Sequence, residues 1–192
     1  MIDLFSFSHA GGNYNYFSNL IRNLNNNINY IPYEYKGRAT RFDEPLSNGM
    51  EEILEDASSF IMKNKKSEKF SLLGYSLGSS VCYYLNDYLN KRYLEHPSHI
   101  FFMANVAPYV HDEEKDIGSL PDDEFWQKMR EYGGIPDELF LHKDLLDLYL
   151  PIMRCDVNCE KEYKTETVKD INCNLSVFYS KEDEKVADNI SR

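Results

Sequence analysis

The chain opens on a short β-rich run, Ile2 to Phe7, that reads as a buried strand. Tyr14 to Leu24 has helical spacing, and Asn29 to Tyr35 is strand-like. A helix is expected to begin at Asn48, with Glu51 three residues later in capping-box register. Its apolar positions, Met50, Ile53, Leu54, Ala57, Phe60 and Ile61, recur as one helical stripe. Lys69 to Gly74 predicts a strand, Leu77 to Leu89 a helix with Leu77, Val81, Leu85 and Tyr88 on one face, and His99 to Ala104 another strand. From His111 to Tyr163 the pattern is mostly helical, punctuated by Pro121, Gly133, Gly134, Pro136 and Pro151. Leu175 to Tyr179 returns to strand.

Strands alternating with helices predict an α/β fold: one mostly parallel sheet with helices on both faces. Residues 1–192 are read as a single domain with a helical insertion at about 111–165. On such a sheet an insertion between strands sits over the strand C-terminal ends, where ligands bind, so it is expected to form a lid.

Composition narrows this picture. A length of 192 residues suits one domain with a real core, and 42% hydrophobic residues mark a globular chain. No repeat or low-complexity linker interrupts it. The net charge of -11 repels phosphate backbones and anionic lipid, which argues against nucleic acid and membrane as partners. No apolar run approaches the roughly 20 residues of a membrane helix. The N-terminus enters a strand without a basic segment and apolar stretch before it, so the cytoplasm is the expected compartment. Of the four cysteines, Cys82, Cys155, Cys159 and Cys173, two lie four residues apart, with no second ligand pair nearby. Reduced thiols on a helix are expected there rather than a metal site.

The strongest chemical signal is Gly74-Tyr75-Ser76-Leu77-Gly78, between a predicted strand and a predicted helix. That context makes a G-x-S-x-G match a nucleophile elbow. A tight strand-to-helix turn would hold Ser76 in a strained backbone with its hydroxyl projecting from the sheet. Gly74 and Gly78 would remove side chains where strand and helix cross. The Leu77 N–H, at the helix N-terminus, could donate to an oxyanion. After the first strand comes Ser8-His9-Ala10-Gly11-Gly12, a small loop suited to a second donor, for which Ala10 is the candidate. His9 could be read as a general base, but a role in shaping this loop is preferred, because the base in such folds arrives after the acid.

These residues resemble a family. Phe5-Ser6-Phe7-Ser8-His9-Ala10-Gly11-Gly12 is similar to the F-P-H-A-G-G loop of type II (editing) thioesterases of polyketide and non-ribosomal peptide synthesis, in the α/β-hydrolase superfamily. Lys36-Gly37-Arg38-Ala39-Thr40-Arg41-Phe42-Asp43-Glu44 resembles their P-G-R-G-x-R-x-x-E segment, and Gly74 to Gly78 their G-H-S-M-G elbow. Leu120 to Phe125, Gly133 to Pro136 and Leu145 to Tyr163 resemble their lid segments. The matches are collinear over nearly the whole chain. The departures are Ser8 and Lys36 for Pro, Ala39 for Gly, and Tyr75 for His, which adds bulk beside the nucleophile.

The resemblance implies an α/β-hydrolase fold with a helical lid. It implies a serine thioesterase that hydrolyses acyl groups from the phosphopantetheine arm of carrier proteins, with no cofactor, no metal and a monomeric state. It also places the catalytic acid at Asp183, after the strand Leu175 to Tyr179, with Glu182 and Glu184 as rival carboxylates and a solvated acidic turn as the plain alternative. The mechanism then needs a histidine after that acid. His9, His96, His99, His111 and His142 all precede Asp183, and Arg192 follows nine residues later. The family's last strand and helix, with the histidine in G-G-H-F, are missing from this sequence. Three readings follow, in order: a fragment, a non-catalytic member, or a substitute base such as His111. For docking an acidic carrier, Arg38 and Arg41 are candidates, with ion pairing as their plain alternative, because the Asp112–Asp116 and Asp122–Glu124 segments would repel it. Two rival functions stand beside hydrolysis of carrier thioesters: a small-molecule carboxylesterase, and an inactive carrier-binding module.

Overall fold

Five strands form one sheet in the order β2-β1-β3-β4-β5 in a computed structural model that describes residues 1–107, 116–133, 135–162, 169–183 and 186. They are β1 (Ile2–Phe7), β2 (Ile28–Pro32), β3 (Phe70–Tyr75), β4 (His99–Met103) and β5 (Asn174–Phe178). Every pairing is parallel. The helices are α1 (Ser18–Ile21), α2 (Met50–Asn64), α3 (Leu77–Tyr93), α4 (Asp122–Tyr132) and α5 (Lys143–Glu162). From β1 the chain moves outward to β2. From β3 it moves the other way, to β4 and β5. The crevice between the C-terminal ends of β1 and β3 is therefore the topological switch point, where open α/β sheets bind ligands.

Side-chain alternation splits the core in two. Phe5 and Phe7 of β1, Phe70 and Leu72 of β3 and Ile100 of β4 face α2 and α3. Against them α2 buries Met50, Ile53, Leu54, Ala57 and Ile61, the stripe its spacing predicts. From α3 come Leu77, Val81, Leu85 and Leu89. On the other face Leu4 and Leu73 pack under Phe17, with Tyr30, Tyr75, Phe101 and Met103 partly buried around them. Leu175, Val177 and Phe178 of β5 remain exposed.

The segment between β4 and β5 carries α4 and α5 with their own apolar cluster, Phe125, Trp126, Met129 and Met153, which also packs on Ala10. Arg154 ties it together, donating to the carbonyls of Gly118 and Leu120 at 2.6 Å and to the Asp122 carboxylate at 2.7 Å.

Three local expectations change. Tyr14 to Leu24 is mostly turns, with helix only over Ser18–Ile21. Its asparagines bond their own backbone instead: Asn13 Oδ1 accepts the Asn15 N–H at 3.0 Å, and Asn23 Nδ2 donates to the Asn19 carbonyl. The capping contact at α2 shifts by one residue. Gly49, at φ 97°, is the N-cap, and Glu52 rather than Glu51 accepts the Asn48 N–H, at 2.8 Å. Pro151 does not break its helix, since α5 runs through it. Proline there removes one backbone bond, while Ile152, Met153 and Asp156 just beyond it are all buried. His111 and Tyr163, the bounds read for the helical stretch, lie outside the described residues.

Candidate active site

Ser76 sits between β3 and α3 with φ 52° and ψ −119°, a left-handed conformation costly for any residue but glycine. It holds because both flanking glycines are in contact. A Cβ on Gly74 would run into the Gly78 carbonyl, and one on Gly78 into the Phe7 carbonyl. The second contact also brings the start of α3 directly against the end of β1. Ser79 locks the turn from below: its buried hydroxyl lies 2.9 Å from the Gly74 carbonyl and accepts the Met103 N–H at 3.0 Å. The Ser76 N–H donates to the Met103 carbonyl at 2.8 Å. Among the described residues the Ser76 hydroxyl has no hydrogen-bond partner, and neither the Leu77 nor the Ala10 N–H donates to the protein.

The loop after β1 is folded by its own backbone. The His9 carbonyl accepts the Gly12 N–H at 2.9 Å, and His9 Nδ1 donates to the Ala10 carbonyl at 2.8 Å. A carbonyl can only accept, so the proton is on Nδ1. Burial holds this imidazole below its ordinary pKa range, so it is neutral at pH 7. Its ring packs 4.5 Å from Tyr16 and 6.1 Å from Tyr75, with Tyr16 and Tyr75 themselves 5.0 Å apart. This arrangement supports the loop-shaping reading of His9. It also places the Tyr75 ring among aromatics beside the elbow.

Asp183 follows β5, at the same C-terminal end of the sheet as Ser76. The two parent strands are separated by β4, roughly 10 Å at ordinary strand spacing. Asp183 Oδ1 accepts the Val186 N–H at 3.3 Å. No described histidine bonds Ser76 or Asp183. His99 is at the opposite end of the sheet, 3.0 Å from Ser176 Oγ. His111, the substitute considered from the sequence, lies outside the described residues, as does Glu184.

Of the side chains that brace this site, the sequence singled out Arg38 and Arg41 but none of their partners. Asp156 of α5 is buried, accepts the Gly11 N–H at 2.7 Å and takes both prongs of the Arg38 guanidinium at 2.7 Å. Arg38 also donates to the Gly12 carbonyl at 3.3 Å. Glu160, one turn further along α5, accepts from Ser80 Oγ at 2.6 Å and from Asn105 Nδ2 at 3.1 Å. Asn105 Nδ2 in turn reaches the Ser76 carbonyl at 2.9 Å. Arg41 binds Asp56 and Glu44, each at 2.6 Å. Both arginines are thus engaged in ion pairs, the plain alternative to docking, and Arg38 is buried. The one available signal was that Arg38 and Asp156 both lie in segments where the family likeness is strong. The four cysteines are free thiols, with Cys155 and Cys159 on α5 and their sulfurs 4.0 Å apart. None of the described helices is long and apolar enough to cross a membrane.

Comparison with known proteins identifies the family and the fold. Residues 3–189 match the family model described as thioesterase domain. The linear gramicidin dehydrogenase LgrE of Brevibacillus parabrevis is 29% identical over 178 residues, which cover 91% of this chain and 67% of that protein. The medium-chain S-acyl fatty acid synthase thioesterase of Rattus norvegicus is 24% identical over 162 residues, covering 83% and 62%. The chain thus spans about two thirds of the length of these relatives. The crystal structure of ClbQ from the colibactin NRPS/PKS pathway shares the fold, with a TM-score of 0.86 at 23% identity over 98% of this chain and 82% of that one.

Proposed function

Because the chain belongs to the thioesterase domain family, we propose that it is a serine thioesterase domain that hydrolyses acyl groups from the phosphopantetheine arm of carrier proteins. The observation that carries this reading is the left-handed Ser76, its hydroxyl unpartnered among the described residues, beside two backbone N–H groups that donate to none of those residues. Ser76 Oγ attacks the thioester carbonyl while an imidazole, oriented by Asp183, takes its proton. The Ala10 and Leu77 N–H groups receive the developing oxyanion. The sulfur leaves as the pantetheine thiol with that proton. Water then attacks the acyl-serine, releases the acid and restores the Ser76 hydroxyl. The likeness to the S-acyl fatty acid synthase thioesterase of Rattus norvegicus and to ClbQ of the colibactin NRPS/PKS pathway supports the carrier-bound substrate class. The free thiols at Cys82, Cys155, Cys159 and Cys173 accord with work in the cytoplasm, and the helices between β4 and β5 serve as the lid.

The test is acid release from an acyl carrier protein, with Ser76→Ala alongside. Serine-dependent release, faster on acyl-pantetheine thioesters than on short oxygen esters, is the expected result. Preference for oxygen esters would make the protein a carboxylesterase instead.

A second reading, binding of the acyl carrier without turnover, is favoured by one observation: no described histidine bonds Ser76 or Asp183. Carrier binding by both the wild type and Ser76→Ala, with no acid released by either, would establish it.

A further inference from the structure

Resting on the hydrolase reading above, we infer that Asp156 and Glu160 are positioning residues, one for each of the two N–H groups that receive the oxyanion. They lie one turn apart on α5. A single helix of the insertion therefore sets the spacing of the two donors.

The reason lies in peptide geometry. All peptides among the described residues are trans, so each N–H there points opposite to the carbonyl of its own peptide unit. The Ala10 N–H belongs to the His9–Ala10 unit, whose carbonyl is bound on the inner side of the loop by the Gly12 N–H. The N–H is thereby turned outward, and it donates to none of the described residues. The next unit, Ala10–Gly11, is held at both ends: the His9 ring bonds its carbonyl and Asp156 bonds its N–H. Arg38 closes the grip by bonding Asp156 and the Gly12 carbonyl together. Met153, one turn before Asp156, packs against Gly11 so closely that a Cβ there would strike its sulfur.

The Leu77 N–H follows the same logic. It belongs to the Ser76–Leu77 unit, whose carbonyl accepts the Ser79 N–H at 2.7 Å and the Asn105 side-chain amide at 2.9 Å. Asn105 cannot turn freely, because its oxygen accepts the Val106 N–H at 2.8 Å and its nitrogen faces Glu160. Glu160 also takes the Ser80 hydroxyl from the first turn of α3. Both donors are thus fixed from behind by carboxylates on one helix, and a shift of α5 would alter their separation. Misplacement of a catalytic group by an ångström can lower a rate by about a hundredfold.

The experiment is amide NMR on the 192-residue chain, with and without octaneboronic acid, a probe whose tetrahedral serine adduct places an oxygen in the hole. Glu160→Gln, at a half-buried position, is expected to fold, shift the Leu77 amide, leave Ala10 in place, and weaken boronate binding about tenfold. Asp156→Asn is expected to shift Ala10 and Gly11 and leave Leu77. Should Asp156→Asn not fold, the Glu160→Gln pattern decides. An unmoved Leu77 amide in folded Glu160→Gln, or boronate affinity equal to wild type, overturns the inference. Equal boronate binding by wild type and Ser76→Ala would instead sink the hydrolase reading, while the amide shifts would still decide the positioning roles.

Discussion

Arg38 and Asp156, 118 residues apart in sequence, meet in a two-pronged ion pair with only 5% and 1% of their surfaces exposed. Burial works to lower the Arg38 pKa, but the bonds from Asp156 outweigh it, so the guanidinium stays charged. Among the described residues Arg38 Nε has no hydrogen-bond partner. The pair joins the loop after β1 to the helix α5 that lies over it.

A buried pair of this kind contributes little net stability but is costly to break, because the survivor is left charged and alone. Asp156→Ala is expected to lower unfolding free energy by about 3–5 kcal/mol. The double variant Arg38→Met, Asp156→Leu should recover most of that loss. Urea denaturation measures both; additive losses in the double variant would show that the pair's bonds, rather than its desolvation, dominate.

Gly78→Ala is expected to destabilise the protein by about 1–3 kcal/mol or more. The added methyl meets the Phe7 carbonyl, which is backbone inside the sheet and cannot move aside as a side chain could. Gly133→Ala meets none of the described residues, although φ 73° still strains it. The larger drop in melting temperature should therefore belong to Gly78→Ala.

Ser76→Gly should make the protein more stable and less active at once. Strain at a left-handed non-glycine residue costs about 1–3 kcal/mol, and glycine relieves it. Calorimetry should show a higher melting temperature for Ser76→Gly than for Ser76→Ala, which keeps the strain. Equal melting temperatures would mean that the φ of 52° is not held in the folded protein.

Asp3 should govern part of the acid stability. Burial alone would raise its carboxyl pKa, but Asn29 Nδ2 and the Lys66 and Ser67 N–H groups donate to it at 2.6–2.7 Å and hold it below its ordinary value. A depressed folded pKa means stability that is present above the unfolded pKa, about 3.9, and lost as pH falls through the folded one. Asp3→Asn is expected to be less stable than wild type by about 1–3 kcal/mol at pH 7. Denaturation at several pH values should show that gap closing below about pH 4. A gap independent of pH would assign the loss to shape instead of charge.

The element order, the parallel sheet and the elbow were legible in the sequence because each rests on local periodicity or on residues adjacent in the chain. The Met50 to Ile61 stripe and the Gly74 to Gly78 turn needed nothing distant to be recognised. The helix expected over Tyr14 to Leu24 failed for a local reason too, since asparagine side chains compete for the backbone in ways that apolar spacing does not register. What only the tertiary structure decided is which charges meet. Arg38 and Arg41 carry the same charge in the same segment, yet one is sealed against Asp156 and the other shared by Asp56 and Glu44. Their partners lie 118, 15 and 3 residues away. No spacing rule connects Gly11 with Asp156, or Ser76 with Asn105 and Glu160. Those contacts exist because the sheet's switch point and the returning helix α5 bring the loops together, and only folding brings the backbone behind the Ala10 and Leu77 N–H groups within reach of α5.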